Sequence, residues 1–256
     1  MREQIHGTPM PVLSVQLDPG ESVVAEAGEF SWMTDSIQMS TQAPAGVGVG
    51  ASGRGLVGAL KRVVGSGSSP LMSTYTAQGC PGTITFAAKV PGSILPVDVG
   101  PGAEYLVHRH GFLAGTPGIE ISVGFEQSFR AGIFAGEGFV LHRLGGQGRA
   151  WAELSGHVIP HELVAGQSLR VHPGHVGMFR TSVSFQVVRV PGVANRYFGG
   201  DAHYFAELSG PGTVWLQSMP LPQLAAALVS YLPAGQDRPD QVEGGLVGGI
   251  MGDVLT

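Results

Sequence analysis

Gly102, followed after five residues by His108-Arg109-His110, is the arrangement in this sequence best suited to chemistry. In an extended strand, residues i and i+2 point to the same face, so the two imidazoles would emerge together. A second group, His172-Pro173-Gly174-His175, falls at a comparable place after Gly166. Two such strands could offer His108, His110 and His175 to Zn, Fe or Mn, as at the start of the cupin metal motif. That motif also requires a glutamate, due at 114 or 115, where Ala114 and Gly115 stand. The residue pattern therefore predicts histidines exposed at strand ends, with no catalytic group, no cofactor and no metal ion. A cupin-like metal-dependent enzyme using His108, His110 and His175 is the alternative.

Other reactive groups are more isolated. Cys80 lies between Gly79 and Pro81, a turn signal, and no base accompanies it in sequence. The glycine-rich run 46–55 lacks the Gly-Lys-Ser/Thr ending of a phosphate loop, and no Gly-x-Ser-x-Gly elbow occurs. Trp32, Trp151 and Trp215 read as strand-packing residues rather than a ligand platform.

The elements that must position these residues are strands. Leu13, Val15 and Leu17 lead to Gly20; Leu95, Val97 and Val99 lead to Gly102; Ile159, His161 and Leu163 lead to Gly166. Beyond each glycine the agreement continues without gaps. Val23, Tyr105 and Leu169 stand three residues on, Ile37, Ile119 and Val183 seventeen on, and Met39, Ile121 and Phe185 nineteen on. Alternating apolar residues bounded by glycine turns predict a triplicated all-β unit. Its second half is marked by glycine pairs before a strand, at Gly82-Thr-Ile84, Gly136-Glu-Gly138-Phe139 and Gly210-Pro-Gly212. The expected organisation is one β body over 1–220 with segments at about 10–91, 92–155 and 156–220. A C-terminal helix, a polar linker and a glycine-rich tail would fill 221–256. Ile37, Ile121, Val183 and Phe185 are expected in the core.

Composition agrees with many short strands: 41 glycines and 18 prolines in 256 residues, with 43% hydrophobic and only 13% charged residues. The formal net charge of −5, with 14 Lys plus Arg, argues against nonspecific nucleic-acid binding, which draws on many basic phosphate contacts. Cys80 is alone, so no intrachain disulfide can form, as in proteins of reducing compartments. Residues 1–10 have no apolar core of a signal peptide, and no apolar run reaches the roughly 18 residues of a membrane-spanning helix. The expected location is the cytoplasm.

Two segments stand apart. In 43–70, Leu56, Ala59, Leu60, Val63 and Val64 would share one face of a short helix, with Lys61 and Arg62 off it. After Pro220, Pro222 suits a first helical turn, and Leu221, Leu224, Leu228 and Leu232 form an apolar stripe that Pro233 ends. The insert could seal one end of the β body. Alternatively, 46–67 and 244–256 drive self-association or peripheral membrane contact, since exposed apolar surface usually meets a partner.

Glu29-Phe-Ser-Trp32-Met33, Gly55-Leu56 with Leu60-Lys-Arg62, Tyr75-Thr-Ala77, Pro91-Gly92, Gly111-Phe-Leu113-Ala114 and Gly210-Pro-Gly212 together resemble the altered-inheritance-of-mitochondria protein 24 family, over roughly 10–220. The resemblance implies a double-stranded β-helix body of three repeats, related to the tryptophan RNA-binding attenuation protein. It brings no established catalytic residues. Its mitochondrial member is linked to inner-membrane organisation, whereas the N-terminus here does not resemble a mitochondrial presequence, so a bacterial-type member is expected. The expected function is that of a noncatalytic scaffold or interaction protein, a homo-oligomer or protein partner, supporting assembly or membrane-surface organisation.

Overall fold

Three glycines hold the left-handed backbone that L-residues avoid: Gly20 at φ 87°, Gly102 at φ 76° and Gly166 at φ 84°. Each lies in a turn between two strands, and these turns set the boundaries of what surrounds them. The computed structural model describes residues 1–42, 71–127, 138–189, 204–229 and 231.

Strand β1 (Arg2–His6) precedes β2 (Val12–Leu17), β3 (Ser22–Glu26), β4 (Trp32–Met33), β5 (Ile37–Gln42), β6 (Met72–Ala77) and β7 (Gly82–Ala87). Next come β8 (Gly92–Val99), β9 (Tyr105–His108), β10 (Phe112–Gly115), β11 (Ile119–Gln127), β12 (Phe139–Gly146) and β13 (Gly148–Ser155). The last set is β14 (Val158–Leu163), β15 (Ser168–Val171), a 3₁₀ turn (Pro173–His175), β16 (Val176–Arg180), β17 (Ser184–Arg189), β18 (Tyr204–Ser209) and β19 (Gly212–Gln217). Helix α1 (Leu221–Val229) follows. The chain is all-β in class, with one short helix among the described residues.

Four antiparallel sheets result, in the orders β1-β2-β7-β4, β5-β6-β3-β10-β13-β8, β11-β12-β9-β16-β19-β14 and β15-β18-β17. The two central sheets join strands from successive stretches of sequence. Alternation places the apolar residues of each strand on one face, and three groups of them form the core. Leu13, Ile84, Phe86 and Trp151 belong to the first, Val107, Leu144, Leu154 and Met178 to the second, and Leu141, Phe179, Leu208 and Val214 to the third.

Two details depart from the sequence pattern. Gly138-Phe139 opens β12, the hairpin partner of β11, whereas the strand placed like β7 and β19 is β13, which begins at Gly148. Gly148 lies as far past Gly102 as Gly212 lies past Gly166, so spacing marks β13, and the glycine texture at 136–138 alone picks the wrong strand. Ile37 and Val183 are buried, but Ile121 and Phe185 only partly so. Ile121 lies on β11 at a sheet edge, and Ile119 takes the inward place at 7% exposure. In α1 no residue is fully buried; Leu221 and Leu224 are half-buried and Leu228 is exposed. The insert helix expected within 56–64 and the segments 46–67 and 244–256 lie outside the described residues. No described helix is long and apolar enough to cross a membrane.

Candidate functional site

Ionisable side chains meet where β3, β9, β12 and β13 end or cross. Glu26 closes β3, His108 closes β9, His142 lies in β12 and Glu153 in β13. The β9–β10 turn carries Arg109 and His110 and is closed by a hydrogen bond from Gly111 N–H to the His108 carbonyl at 2.7 Å. Only glycine fits at 111, because a Cβ there would lie 2.3 Å from Val107 Cγ2. The next turn member, Arg109, donates its N–H to Val140 at 3.1 Å, which ties the turn to β12.

Glu153 is the hub. Its carboxylate accepts the Lys89 N–H at 2.8 Å, its own N–H donates to Gly111 at 2.8 Å, and its carbonyl meets His108 Nε2 at 3.1 Å. Lys89 Nζ in turn pairs with Glu29 at 2.5 Å. Beside this network, Glu26 Oε1 stands 4.0 Å from His142 Nδ1. That is too long for a hydrogen bond, and neither atom bonds another protein group although both are buried.

Burial disfavours every charged form here. It pushes the Glu26 carboxyl up to about 7, with the nearby Glu29 charge adding to the rise and Lys89 and Arg109 opposing it. Glu153 is raised as well, again chiefly by burial. His142 is pushed down to about 4 by burial, then by Arg109 and His110. His108 is also held at about 4 by burial, against the pull of its bond to Glu153. Glu26 and His142 therefore face each other as a neutral-leaning carboxyl and a neutral imidazole, and not as an ion pair. Such a pair can take up protons on acidification. No group of three or more His, Cys, Asp or Glu among the described residues is arranged to hold a metal ion.

The histidines singled out by sequence go to different tasks. His108 ends its strand partly buried, while His110 sits exposed in the turn, so the two rings do not emerge from one strand face. His175 lies in the 3₁₀ turn, with Nδ1 2.8 Å from the Gln217 carbonyl. His172 packs edge-on against His175 at 5.9 Å and meets Gln223 of α1 at 3.3 Å. Glu153 and Gln217 hold the same place on β13 and β19, opposite the starts of β10 and β16, so His108 and His175 serve equivalent carbonyls. Cys80 is an exposed free thiol. Trp151 is fully buried and Trp215 partly so, but Trp32 is 56% exposed.

Glu26, His142 and Glu153 escaped the sequence reading. Two of them had a visible sign: a histidine inside Phe139-Val-Leu-His-Arg-Leu144 and a glutamate inside Ala150-Trp-Ala-Glu-Leu154, each a polar residue in an apolar strand. Glu26 ends its strand next to a turn and carries no such mark.

The model of a family described as mitochondrial biogenesis AIM24 matches residues 3–219. An uncharacterized protein of Streptococcus pyogenes serotype M6 is 25% identical over 230 residues, which cover 89% of each chain. A crystal structure of a Streptococcus pyogenes protein from a structural genomics consortium shares the fold, at a TM-score of 0.72 and 22% identity, covering 90% of this chain and 99% of the other.

Proposed function

The chain belongs to the mitochondrial biogenesis AIM24 family, and on that premise we propose that it is a noncatalytic scaffold whose β body presents surfaces for assembly. One observation carries this: the histidines best placed for chemistry are used as structural ties. His108 and His175 each hold an equivalent strand carbonyl, at 3.1 and 2.8 Å. The recurrence of strands at the same distances from Gly20, Gly102 and Gly166 supports a body of three equivalent modules of double-stranded β-helix or β-sandwich type.

The same proposal places the protein in the cytoplasm, with 46–67 and 244–256 as candidate contacts to another subunit or to a membrane surface. Lys61 and Arg62 beside an apolar stripe support the membrane option at anionic lipid. Deleting each segment and following flotation with anionic vesicles tests it; unchanged flotation removes the membrane option.

The central test is complementation. A cell lacking the protein should be restored by a folded triple variant, His108→Gln, His110→Gln and His175→Gln. Purified wild-type protein should contain no stoichiometric Zn, Fe or Mn. Failure to complement with fold and assembly state intact, together with one bound metal per chain, would replace the scaffold with the cupin-like metal-dependent enzyme.

A further inference from the structure

We propose that Glu26 and His142 form a proton-storing latch between the two central sheets, in which opening of the corner they close moves one proton from the carboxyl to the imidazole. The two side chains come from opposite sides of the second core. Glu26 pairs with Met72 in the β3–β6 ladder, and Met72 packs on that core. His142 pairs with Val107 in the β9–β12 ladder, and Val107 is a member of the same core. Directly opposed residues share a sheet face, so the carboxyl and the imidazole face each other across the interior. Glu26 Oε1 and His142 Nδ1 stand 4.0 Å apart, with the His142 side chain 8% exposed. Neither atom bonds another protein group. Two main-chain bonds knit the corner. Ala27 N–H donates to the Leu71 carbonyl at 2.8 Å, and Arg109 N–H to the Val140 carbonyl at 3.1 Å.

The pairing is peculiar to this core. Ala25, Val107 and Val171 each stand five residues past a turn glycine, Gly20, Gly102 and Gly166. The residues opposite them are Ser73, His142 and Ala206. One residue further along, the three strands give Glu26, His108 and His172. Among the described residues, only the second core sets a carboxyl against an imidazole in this way.

Charged neighbours approach from every element packed here. Glu29, after β3, is paired with Lys89, after β7. Arg109 and His110 are exposed in the β9–β10 turn. His108 of β9 is turned to the Glu153 carbonyl, and the Glu153 carboxylate on β13 accepts the Lys89 N–H. None of them bonds Glu26 Oε1 or His142 Nδ1, and burial outweighs their charges at both groups.

Burial favours the neutral form of each partner. With the corner closed, Glu26 keeps its proton up to about pH 7 and His142 takes none until about pH 4. With the corner open, water restores the ordinary affinities, 4.5 for the carboxyl and 6.5 for the imidazole. Between pH 4.5 and 6.5, opening therefore breaks the carboxyl O–H bond and forms an imidazole N–H bond, with no net exchange of protons with solvent. The two halves have opposite signs. Glu26 favours the closed corner fully below pH 4.5, and this is lost as pH rises through 7. His142 favours it fully above pH 6.5, and this is lost as pH falls through 4. Together the slopes cancel, so the junction of the two sheets holds alike in acidic and neutral surroundings. A lone buried carboxyl or a lone buried imidazole would loosen it at one end of that range. This device goes beyond the scaffold reading and does not depend on it.

Hydrogen exchange of the full chain reads the opening, by mass spectrometry of peptides covering 23–27 and 139–144, corrected for the pH dependence of the intrinsic rate. Between pH 5 and pH 8, wild-type opening should change by no more than about threefold. His142→Gln leaves the carboxyl alone, and opening should rise roughly 70-fold over the same range. Glu26→Gln leaves the imidazole alone, and opening should fall roughly 30-fold. A peptide covering 176–180, in the third core, should follow neither slope. A steep wild type, or two variants whose slopes share a sign, overturns the latch. Wild-type protein alone supplies a second readout. The His142 imidazole resonances should inflect near pH 7, as Glu26 titrates, and again near pH 4; a single inflection at the ordinary 6.5 overturns the latch as well.

Discussion

Phe125, Phe139, Phe179 and Phe185 close one end of the interior with rings alone, at centroid distances from 4.8 to 6.2 Å. Glu26, His108, His142 and Glu153 close another part with groups that burial drives toward neutrality. Strand β12 belongs to both regions. Phe139 and Leu141 point to the aromatic core and His142, next in sequence, to the opposite face. The contrast teaches that one strand can join an interior indifferent to pH with one that responds to it. Apolar packing has no proton to exchange, whereas a buried carboxyl or imidazole changes its proton count on unfolding.

The largest expected effect breaks the aromatic side. Phe179 is fully buried and stacks on Phe185 at 5.3 Å. Phe179→Ala should cost about 3–5 kcal/mol, through lost burial and a residual cavity. Denaturant titrations at pH 5 and pH 8 should give the same loss; a strongly pH-dependent loss would erase the contrast.

The polar side should show itself on acidification. His108 and His142 sit at about 4 when folded and at 6.5 when unfolded. Between these values the unfolded chain binds more protons. Their contribution is therefore complete above pH 6.5 and is lost as pH falls toward 4. Each histidine accounts for on the order of 3 kcal/mol, partly offset below pH 6.5 by Glu26, which has the opposite slope. His142→Gln should flatten the acid limb of stability against pH, measured by urea unfolding; an unaltered limb counts against a buried neutral imidazole.

Glu26 sharpens the same comparison from the alkaline side. Its carboxyl ionises at about 7 when folded against 4.5 when unfolded. The favourable contribution is thus full below pH 4.5 and lost as pH rises through 7. Glu26→Gln should raise stability above pH 8 by up to about 3 kcal/mol and change little below pH 4.5. Equal effects at both extremes would show that ionisation is not the cause.

The smallest effect separates neighbours on β11. Ile119 is buried and Ile121 only partly. Ile119→Ala should cost about 2–5 kcal/mol and Ile121→Ala about 1–2 kcal/mol, since less area leaves water at the edge strand. Thermal unfolding of the two variants checks the order, and a reversal would move the core boundary to the other residue.

Local pattern alone determined the strand content, the turns at Gly20, Gly102 and Gly166, and the alternation that buries Leu13, Val97 and Tyr105. These follow from backbone sterics and a two-residue side-chain period, both written within a few positions of the chain. The motifs Glu29-Phe-Ser-Trp32-Met33 and Gly111-Phe-Leu113-Ala114 were likewise enough to indicate the family. Tertiary structure alone decided that His108 and His110 part company at a turn, and that β13 rather than β12 answers to β7. It also brought Glu26, His142 and Glu153 together from three strands. Proximity across a sheet, and the desolvation that shifts a carboxyl or an imidazole, depend on which strands pair and what covers them. The exposure of Trp32, beside the burial of Trp151, has the same origin. Both are tryptophans in extended chain; among the described residues β4 pairs on one side alone, with β7, whereas β13 pairs on both.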